Sequence, residues 1–196
     1  MYKKFLRLTL IVLVLSLVVN TSAADISWDD GGTDSLWSTA ANWDGDTVPT
    51  ASDDAIIEID PGAIIDASVT ADAYNVIIAD AAGSTGRVIM TGGTLTVHQT
   101  GGGGPGLWIG NIGTGYFDMR GGTITAEHVY LPRSSPGKGY MTMSDGTITT
   151  GQSFTLGLHS GEYGELNMTG GTINVGTMFR CPDNGQAVLN MRGGTI

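Results

Sequence analysis

The chain has few basic residues, a single cysteine and little charge of either sign. Lys and Arg number 9 against 19 Asp and Glu, and only 14% of the residues are charged. Nucleic acid and anionic membrane surfaces are therefore not expected as partners, because both are bound through clustered Lys and Arg. Cys181 is the only cysteine, so no internal disulfide can form and packing must stabilise the fold.

The first 23 residues predict a secretory signal peptide. Three basic residues precede an apolar run over residues 8–19, and small residues follow it up to Ala23. This run is shorter than the roughly 18 to 20 apolar residues that cross a bilayer, so we expect no membrane span after cleavage. The exported chain would begin at Ala24 or Asp25 and keep 6 basic against 19 acidic residues, a net charge of −13.

One phrase recurs five times in the rest of the chain. The copies are VIMTGGTL (88–95), FDMRGGTI (117–124), MTMSDGTI (141–148), LNMTGGTI (166–173) and LNMRGGTI (189–196). With the threonine near the end of each phrase as the anchor, the spacings between Thr94, Thr123, Thr147, Thr172 and Thr195 are 29, 24, 25 and 23 residues. A period of this length is typical of one coil of a β-solenoid.

The order of apolar residues and glycines within a period predicts three strands per coil. Apolar residues six and four positions before the anchor alternate with polar ones, which indicates a strand with one buried face. The Gly-Gly or Asp-Gly pair tolerates positive φ and predicts a corner. A second strand follows the corner, and the side chain of the residue after the anchor, such as Ile124 or Ile148, is predicted to point inward. A third apolar patch, as at residues 107–110, 129–132 and 154–157, predicts the third strand.

The same template extends towards both ends of the repeats. Towards the N-terminus we predict that Ala63 occupies an anchor position and that residues 76–79 form a third strand, which gives about six coils. Towards the C-terminus the patch at residues 178–181 would place Arg180 inward, so either the register slips there or that coil is splayed. Because Ile196 follows the last anchor directly, we expect the repeats to continue in a longer protein.

Residues 24–54 differ from the repeats and are predicted to cap them. Three of the four tryptophans, Trp28, Trp37 and Trp43, lie in this segment. A solenoid needs a cap because its first coil otherwise exposes a strand edge and an open core, which large aromatic rings can cover. The predicted organisation is therefore a signal peptide over residues 1–23, a cap over 24–54 and coils over 55–196.

The order of motifs resembles a known group of bacterial proteins. Trp28, Leu36-Trp37, Asn42-Trp43, Gly45, Pro49 and Asp53-x-Ala55-x-Ile57 are followed by Gly-Gly-Thr-Ile repeats. This order is similar to that of large secreted repeat proteins of Gram-negative and planctomycete-type bacteria, namely autotransporter-like passenger domains and surface proteins with a PEP-CTERM sorting tail. The resemblance implies a right-handed parallel β-helix that is displayed outside the cell.

No motif for catalysis stands out, and we predict no catalytic, cofactor or metal residues. The glycine run at 101–104 lacks the Lys-Ser or Lys-Thr of a phosphate loop and is interpreted as a turn. His98, His128 and His159 fall at different positions of their coils, so they are not expected to form one metal site. The acidic groups at residues 29–30, 44–46 and 53–54 suit calcium chemically, but they lack the spacing of a calcium loop, which favours a solvated surface.

Two arginines share one outward position. Arg120 and Arg192 lie three coils apart, roughly 14 Å at about 4.8 Å per coil, which is too far for one catalytic pair. We expect Arg120 to pair with Asp118, two residues back on the same face. Another outward position is predicted to form a polar ladder of Asp118, Thr142, Asn167 and Asn190.

Two classes of function fit these observations. The favoured one is a secreted or cell-surface structural or adhesive repeat protein, not an enzyme, whose flanks contact carbohydrate or other cell-surface components. The alternative is a polysaccharide lyase or glycosidase on the same fold, with its active site outside these 196 residues. A cluster of outward Asp, Lys, Arg or His on adjacent coils would favour the enzyme, and the sequence predicts none.

Overall fold

A computed structural model describes residues 23–98 and 106–196. The predicted leader up to residue 22 and the glycine run at 101–104 lie outside the described residues. The strands of the described part are β1 (Ala24–Ser27), β2 (Asp53–Ile57), β3 (Ala63–Ile65), β4 (Thr70–Ala73), β5 (Asn75–Ile78), β6 (Thr85–Met90), β7 (Thr94–Val97), β8 (Leu107–Ile109), β9 (Thr114–Leu131), β10 (Lys138–Leu156), β11 (Tyr163–Met168), β12 (Thr172–Val175), β13 (Met178–Arg180) and β14 (Gln186–Met191). Two 3-10 turns cover Ala40–Asn42 and Asp44–Asp46.

The strands stack in parallel as a β-solenoid of about six coils, which confirms the predicted fold class. Three walls run along the stack. The first wall holds β3, β6, the starts of β9 and β10, β11 and β14, and the second holds β4, β7, the middles of β9 and β10, and β12. The third wall holds β1, β2, β5, β8, the ends of β9 and β10, and β13. Among the described residues no helix has the length and apolar character to span a bilayer.

The repeated phrases lie directly above one another. Phe117 pairs with Met141, Met141 with Leu166, and Leu166 with Leu189 along the first wall. The anchor threonines pair in the same way along the second wall, from Thr94 through Thr172. Because the strand period is two, this register sends the apolar residues of every coil to the same interior. Phe117, Met141 and Leu166 are fully buried, as predicted.

Each corner uses the second residue of its Gly-Gly or Asp-Gly pair in a left-handed conformation. Gly122 has a φ of 86° and Gly146 a φ of 95°, which confirms the predicted corner. A side chain at either position would also meet the methyl group of a methionine from the coil before, Met90 or Met119. The inward methionine and the corner glycine therefore fill one space together, which explains why the phrase contains both.

One extension of the template was wrong. Ala63 does not occupy an anchor position, because β3 pairs with β6 so that Ala63 lies opposite Val88 on the first wall. The anchor of that coil is Thr70, which pairs with Thr94. Pro61-Gly62 before Ala63 resembled the corner dipeptide, while the true corner follows β3 and has no Gly-Gly pair. The prediction of a third strand at residues 76–79 is confirmed by the pairing of β5 with β8.

The last third strand stays in register with the coil before it. Phe179 takes the inward position opposite Phe154, with ring centroids 5.8 Å apart, and Arg180 pairs with Thr155. Arg180 is therefore not an inward residue, and its guanidinium group lies 3.7 Å from a carboxylate oxygen of Asp183. The predicted alignment of residues 178–181 was wrong by one residue, and neither the slipped register nor the splayed coil is observed there.

Three tryptophans close the N-terminal end of the stack. The indole of Trp43 is fully buried and makes edge contacts with Trp28 and Trp37, at centroid distances of 5.0 Å and 4.8 Å. Trp43 Nε1 donates to the carbonyl oxygen of Trp37 at 2.7 Å. The chain around them joins the first coil, because β1 pairs with β2 and Leu36 bridges to Ile64.

Candidate functional site

The three histidines lie apart from one another on the outer faces of the coils. His98 Nε2 lies 2.9 Å from Asp72 Oδ1 on the second wall. His128 Nδ1 lies 2.8 Å from the hydroxyl of Ser153, its neighbour on the next coil of the third wall. The structure therefore does not bring the histidines together.

His128 and Ser153 form a hydrogen bond between neighbouring coils. In some enzymes a serine hydroxyl held by a histidine in this way acts as a nucleophile, with the imidazole as its base. Burial lowers the pKa of His128, Glu127 opposes this effect, and Arg133 and Arg180 add to it. A neutral imidazole can accept a proton from the hydroxyl. Ser153 is only 6% exposed, however, so a substrate has little access to its hydroxyl. Within the described ranges no carboxylate is hydrogen-bonded to His128 to orient the imidazole. The pair therefore fits a role in joining coils better than one in catalysis.

The acidic residues of the cap act within local turns. Asp29 Oδ1 accepts from the amide of Gly31 at 2.9 Å, and Asp53 Oδ2 accepts from the hydroxyl of Thr50 at 2.6 Å. Nowhere in residues 23–98 and 106–196 do three or more His, Cys, Asp or Glu side chains group in a way that could hold a metal ion.

The ion pair on the first wall joins different residues from those predicted. Asp118 does not pair with Arg120. Its Oδ2 lies 2.6 Å from Arg87 Nη1 on the coil before, and Arg87 Nε lies 3.0 Å from Asp60. The Asp118 carboxylate also accepts from Thr142 on the coil after, at 2.8 Å. Arg87 pairs with Tyr116, two residues before Asp118, so its long side chain reaches the Asp118 carboxylate diagonally across neighbouring coils.

The predicted polar ladder is present as one column of residues on successive coils. Thr142 pairs with Asp118 and with Asn167, and Asn167 pairs with Asn190. Asn190 Nδ2 donates to Asn167 Oδ1 at 2.8 Å. Ladders of this kind satisfy polar side chains across coils and hold the register of the stack.

An aspartate on the third wall has an unusual protonation equilibrium. Asp54 accepts from Asn75 Nδ2 at 2.6 Å. Burial raises the pKa of Asp54 to about 6; the Asn75 hydrogen bond opposes this, and the carboxylates of Asp25, Asp53 and Asp80 add to it. The folded protein therefore favours the protonated form of Asp54 relative to the unfolded chain.

This shift predicts a pH-dependent stability. The pKa of Asp54 is higher in the folded protein than in the unfolded chain. Its contribution to the free energy of unfolding is therefore fully present below about pH 4 and is lost as the pH rises through about 6. Asp54→Asn removes the titration and keeps an oxygen for Asn75. We expect this variant to melt at a higher temperature than the wild type at pH 7 and at a similar temperature at pH 4, measured by circular dichroism. A gap of equal size at both pH values would contradict the assignment.

Three tyrosine rings contact one another on the first wall. Tyr116 and Tyr140 pair on neighbouring coils and stack at 5.2 Å with an interplanar angle of 16°, and the guanidinium carbon of Arg87 lies 4.7 Å above the Tyr116 ring. Glu165 takes the position opposite Tyr140 on the next coil, so the stacked column ends at Tyr140. Tyr163 belongs to the neighbouring column, and its ring contacts Tyr140 diagonally at 5.6 Å with a tilt of 47°.

A cavity of about 330 Å³ lies beside that tilted ring. Its lining consists of Lys138, Tyr140, Gly161, Glu162, Tyr163 and Gln186. Sequence reasoning missed this site because its residues come from three coils. The stretch from Gly161 to Glu165 carries two glutamates around a tyrosine, a local cluster of polar and aromatic residues that could have drawn attention to the site. Its sequence does not show that Lys138 and Gln186 lie beside Tyr163 on the neighbouring coils.

Comparisons with known proteins add no assignment to this geometry: no family model, curated protein or solved structure matches the chain.

Proposed function

We propose that the protein is a secreted or cell-surface structural or adhesive repeat protein that acts without catalysis. The observation that carries the proposal is the in-register stack, in which each coil places its apolar residues inside and repeats its polar residues outside. A β-solenoid of this kind is compatible with a structural or adhesive role. It provides a rigid surface in which equivalent side chains recur at about 4.8 Å.

The charge and the leader favour a place outside the cell. The basic, apolar and small-residue order of residues 1–23 has the form of a secretory signal. The acidic surface keeps the protein away from anionic lipid and nucleic acid, while hydroxyl, amide and aromatic groups on the walls suit carbohydrate or other cell-surface components as partners.

Export is tested by producing the chain with its leader in a Gram-negative host and sequencing the N-terminus of the exported protein. We expect it to begin at Ala24 or Asp25. The matched control is Leu13→Arg, which interrupts the apolar run and should keep the chain in the cytoplasm. Wild-type protein that stays in the cytoplasm and begins at Met1 would contradict the proposal.

The absence of catalysis is tested separately. The purified protein is incubated with pectate, xylan and cellulose, and new reducing ends and unsaturated products are measured. We expect no product above the level of heat-denatured protein. Product formed by the wild type and lost in Ser153→Ala or Glu162→Gln would favour the enzyme instead.

A further inference from the structure

The second wall of the solenoid carries an array of threonines on its outer side. Its strands pair in register, so two outward positions recur on four successive coils. Seven of these eight positions are threonine and one is asparagine. We call this array the threonine face, and its residues are Thr94, Thr96, Thr123, Thr125, Thr147, Thr149, Thr172 and Asn174.

The interior of the solenoid holds the side chains of the threonine face in place. The residue between the two outward positions of each strand is buried, as Leu95, Ile124 and Ile148 show. Because side chains alternate along a strand, the neighbours of these residues point outward. A β-branched side chain has few χ1 rotamers, so the strand also fixes where each threonine hydroxyl and methyl group lies. The face is therefore a rigid array of hydroxyl and methyl groups.

The register gives the array two repeat distances. Coil neighbours such as Thr125 and Thr149 are about 4.8 Å apart, the distance between paired strands. Thr123 and Thr125 lie two residues apart on one strand, which corresponds to about 6.7 Å. Oxygen atoms on the prism faces of hexagonal ice repeat at distances close to both. An ice crystal can therefore contact many hydroxyl groups of the face at the same time.

The hydroxyl groups of the threonine face have no partner in the protein. Thr123, Thr125 and Thr149 are exposed, and the other threonines of the face are exposed or half-buried. Among residues 23–98 and 106–196, no hydroxyl of the face makes a hydrogen bond to another protein group. On the first wall, by contrast, the hydroxyl of Thr142 donates to Asp118. Every hydroxyl of the face is thus available to water.

The chemistry of the face favours a neutral, ordered partner. None of its residues is charged, and charged side chains begin at its border, with Asp72 on the coil before Thr96 and Glu127 two residues after Thr125. Single contacts to hydroxyl groups are weak, and they add up when the groups of the partner are held together, as they are in a crystal. A cavity of about 330 Å³ at the edge of the face includes Glu127 and His98, so a bound sugar chain is the competing outcome of the test.

We propose that the threonine face binds ice. Its hydroxyl groups bond to water molecules at positions of the ice lattice, and the buried residues behind them hold the array at the required spacing. The inference goes beyond the proposed adhesive function and does not depend on export of the chain.

The test measures how much of the purified chain enters slowly grown ice. A solution of the protein and serum albumin is frozen onto a cooled probe, and both proteins are quantified in the ice and in the remaining liquid. We expect the chain to be enriched in the ice about tenfold over albumin, because contacts made together add up. A chain that enters the ice no more than albumin does would overturn the proposal.

Matched variants locate the binding surface. Thr125→Lys places a long charged side chain between Thr96 and Thr149, the coil neighbours of residue 125, and should lower the enrichment about tenfold. Thr149→Lys tests the same face at a second exposed position. The control is Thr169→Lys, the same change at an exposed threonine outside the face, which should alter the enrichment less than about twofold. Melting followed by circular dichroism shows that each variant is folded.

Two further outcomes would contradict the assignment. Enrichment of both face variants equal to that of the wild type would show that ice does not bind this wall. Binding of the wild type to microcrystalline cellulose but not to ice, with loss of that binding in Thr125→Lys, would assign the face to a polysaccharide and overturn the proposal.

The ice-binding face and the proposed function fail in different ways. An exported chain that is not enriched in ice overturns the ice-binding face and leaves the structural or adhesive repeat protein standing. A wild-type chain retained in the cytoplasm with Met1 at its N-terminus overturns the proposed function, whereas enrichment of the purified protein in ice still supports the face.

Discussion

Replacing Gly146 with valine is expected to lower the free energy of unfolding by about 2 to 5 kcal/mol, from left-handed strain and overpacking together. Gly146 has a φ of 95°, a conformation that a β-branched residue rarely adopts. An added Cβ would lie 2.6 Å from Met119 Cε and 2.8 Å from the carbonyl oxygen of Gly122. The methionine end can move, but the backbone oxygen of the neighbouring coil cannot move without disturbing the stack.

The matched control is Thr149→Val, which places the same side chain three residues later on an exposed strand position. Valine favours strands as threonine does, so we expect a change within about 0.5 kcal/mol. Both variants are compared by urea unfolding followed by circular dichroism. Equal midpoints for the two variants would show that residue 146 does not turn the corner in this conformation.

Replacing Trp43 with alanine is expected to destabilise the protein by about 3 to 5 kcal/mol, the usual cost of removing a fully buried large aromatic ring. The variant loses the edge contacts to Trp28 and Trp37 and the hydrogen bond to the Trp37 carbonyl oxygen. The cavity left behind opens the N-terminal end of the core. Amide protons of β1 and β2 should therefore exchange faster than those of β10.

Trp108→Ala is the matched control, because Trp108 is the one tryptophan on an outer face of the coils. It lies on the third wall, where the guanidinium carbon of Arg133 is 5.6 Å from its ring. We expect a loss of about 1 kcal/mol, the size of one partly exposed cation–π contact. A loss at Trp108 as large as that at Trp43 would contradict the assignment of the buried tryptophans as the closure of the stack.

The repeat period and the inward positions were predictable from the sequence for a physical reason. Each coil solves the same packing problem, so the apolar residues and the corner glycine recur in the same order and can be aligned by eye. Met119 with Gly146 illustrates this: the methionine of one coil fills the space that the glycine of the next leaves. Patterns that depend on neighbours one coil away are thus visible when the coils have similar sequences.

The errors and omissions lie where the coils differ. The coil at residues 63–73 turns its corner without a Gly-Gly pair, so the anchor was placed at Ala63 instead of Thr70. Arg87 could not be identified as the partner of Asp118, because the pair joins residues of different coils at positions that carry no shared motif. The cavity beside Tyr163 was missed for the same reason, since three coils supply its lining.

The measurement that tests the stack most directly is methyl NOE spectroscopy of the full chain labelled at its isoleucines. Ile148 pairs with Ile124 on one side and with Ile173 on the other, and all three are buried in the same interior. We predict NOEs from the Ile148 methyl groups to those of both Ile124 and Ile173. The parallel in-register solenoid would be contradicted if no NOEs joined these isoleucines. The contradicting pattern is one of NOEs between residues of a single repeated phrase, as in an antiparallel hairpin.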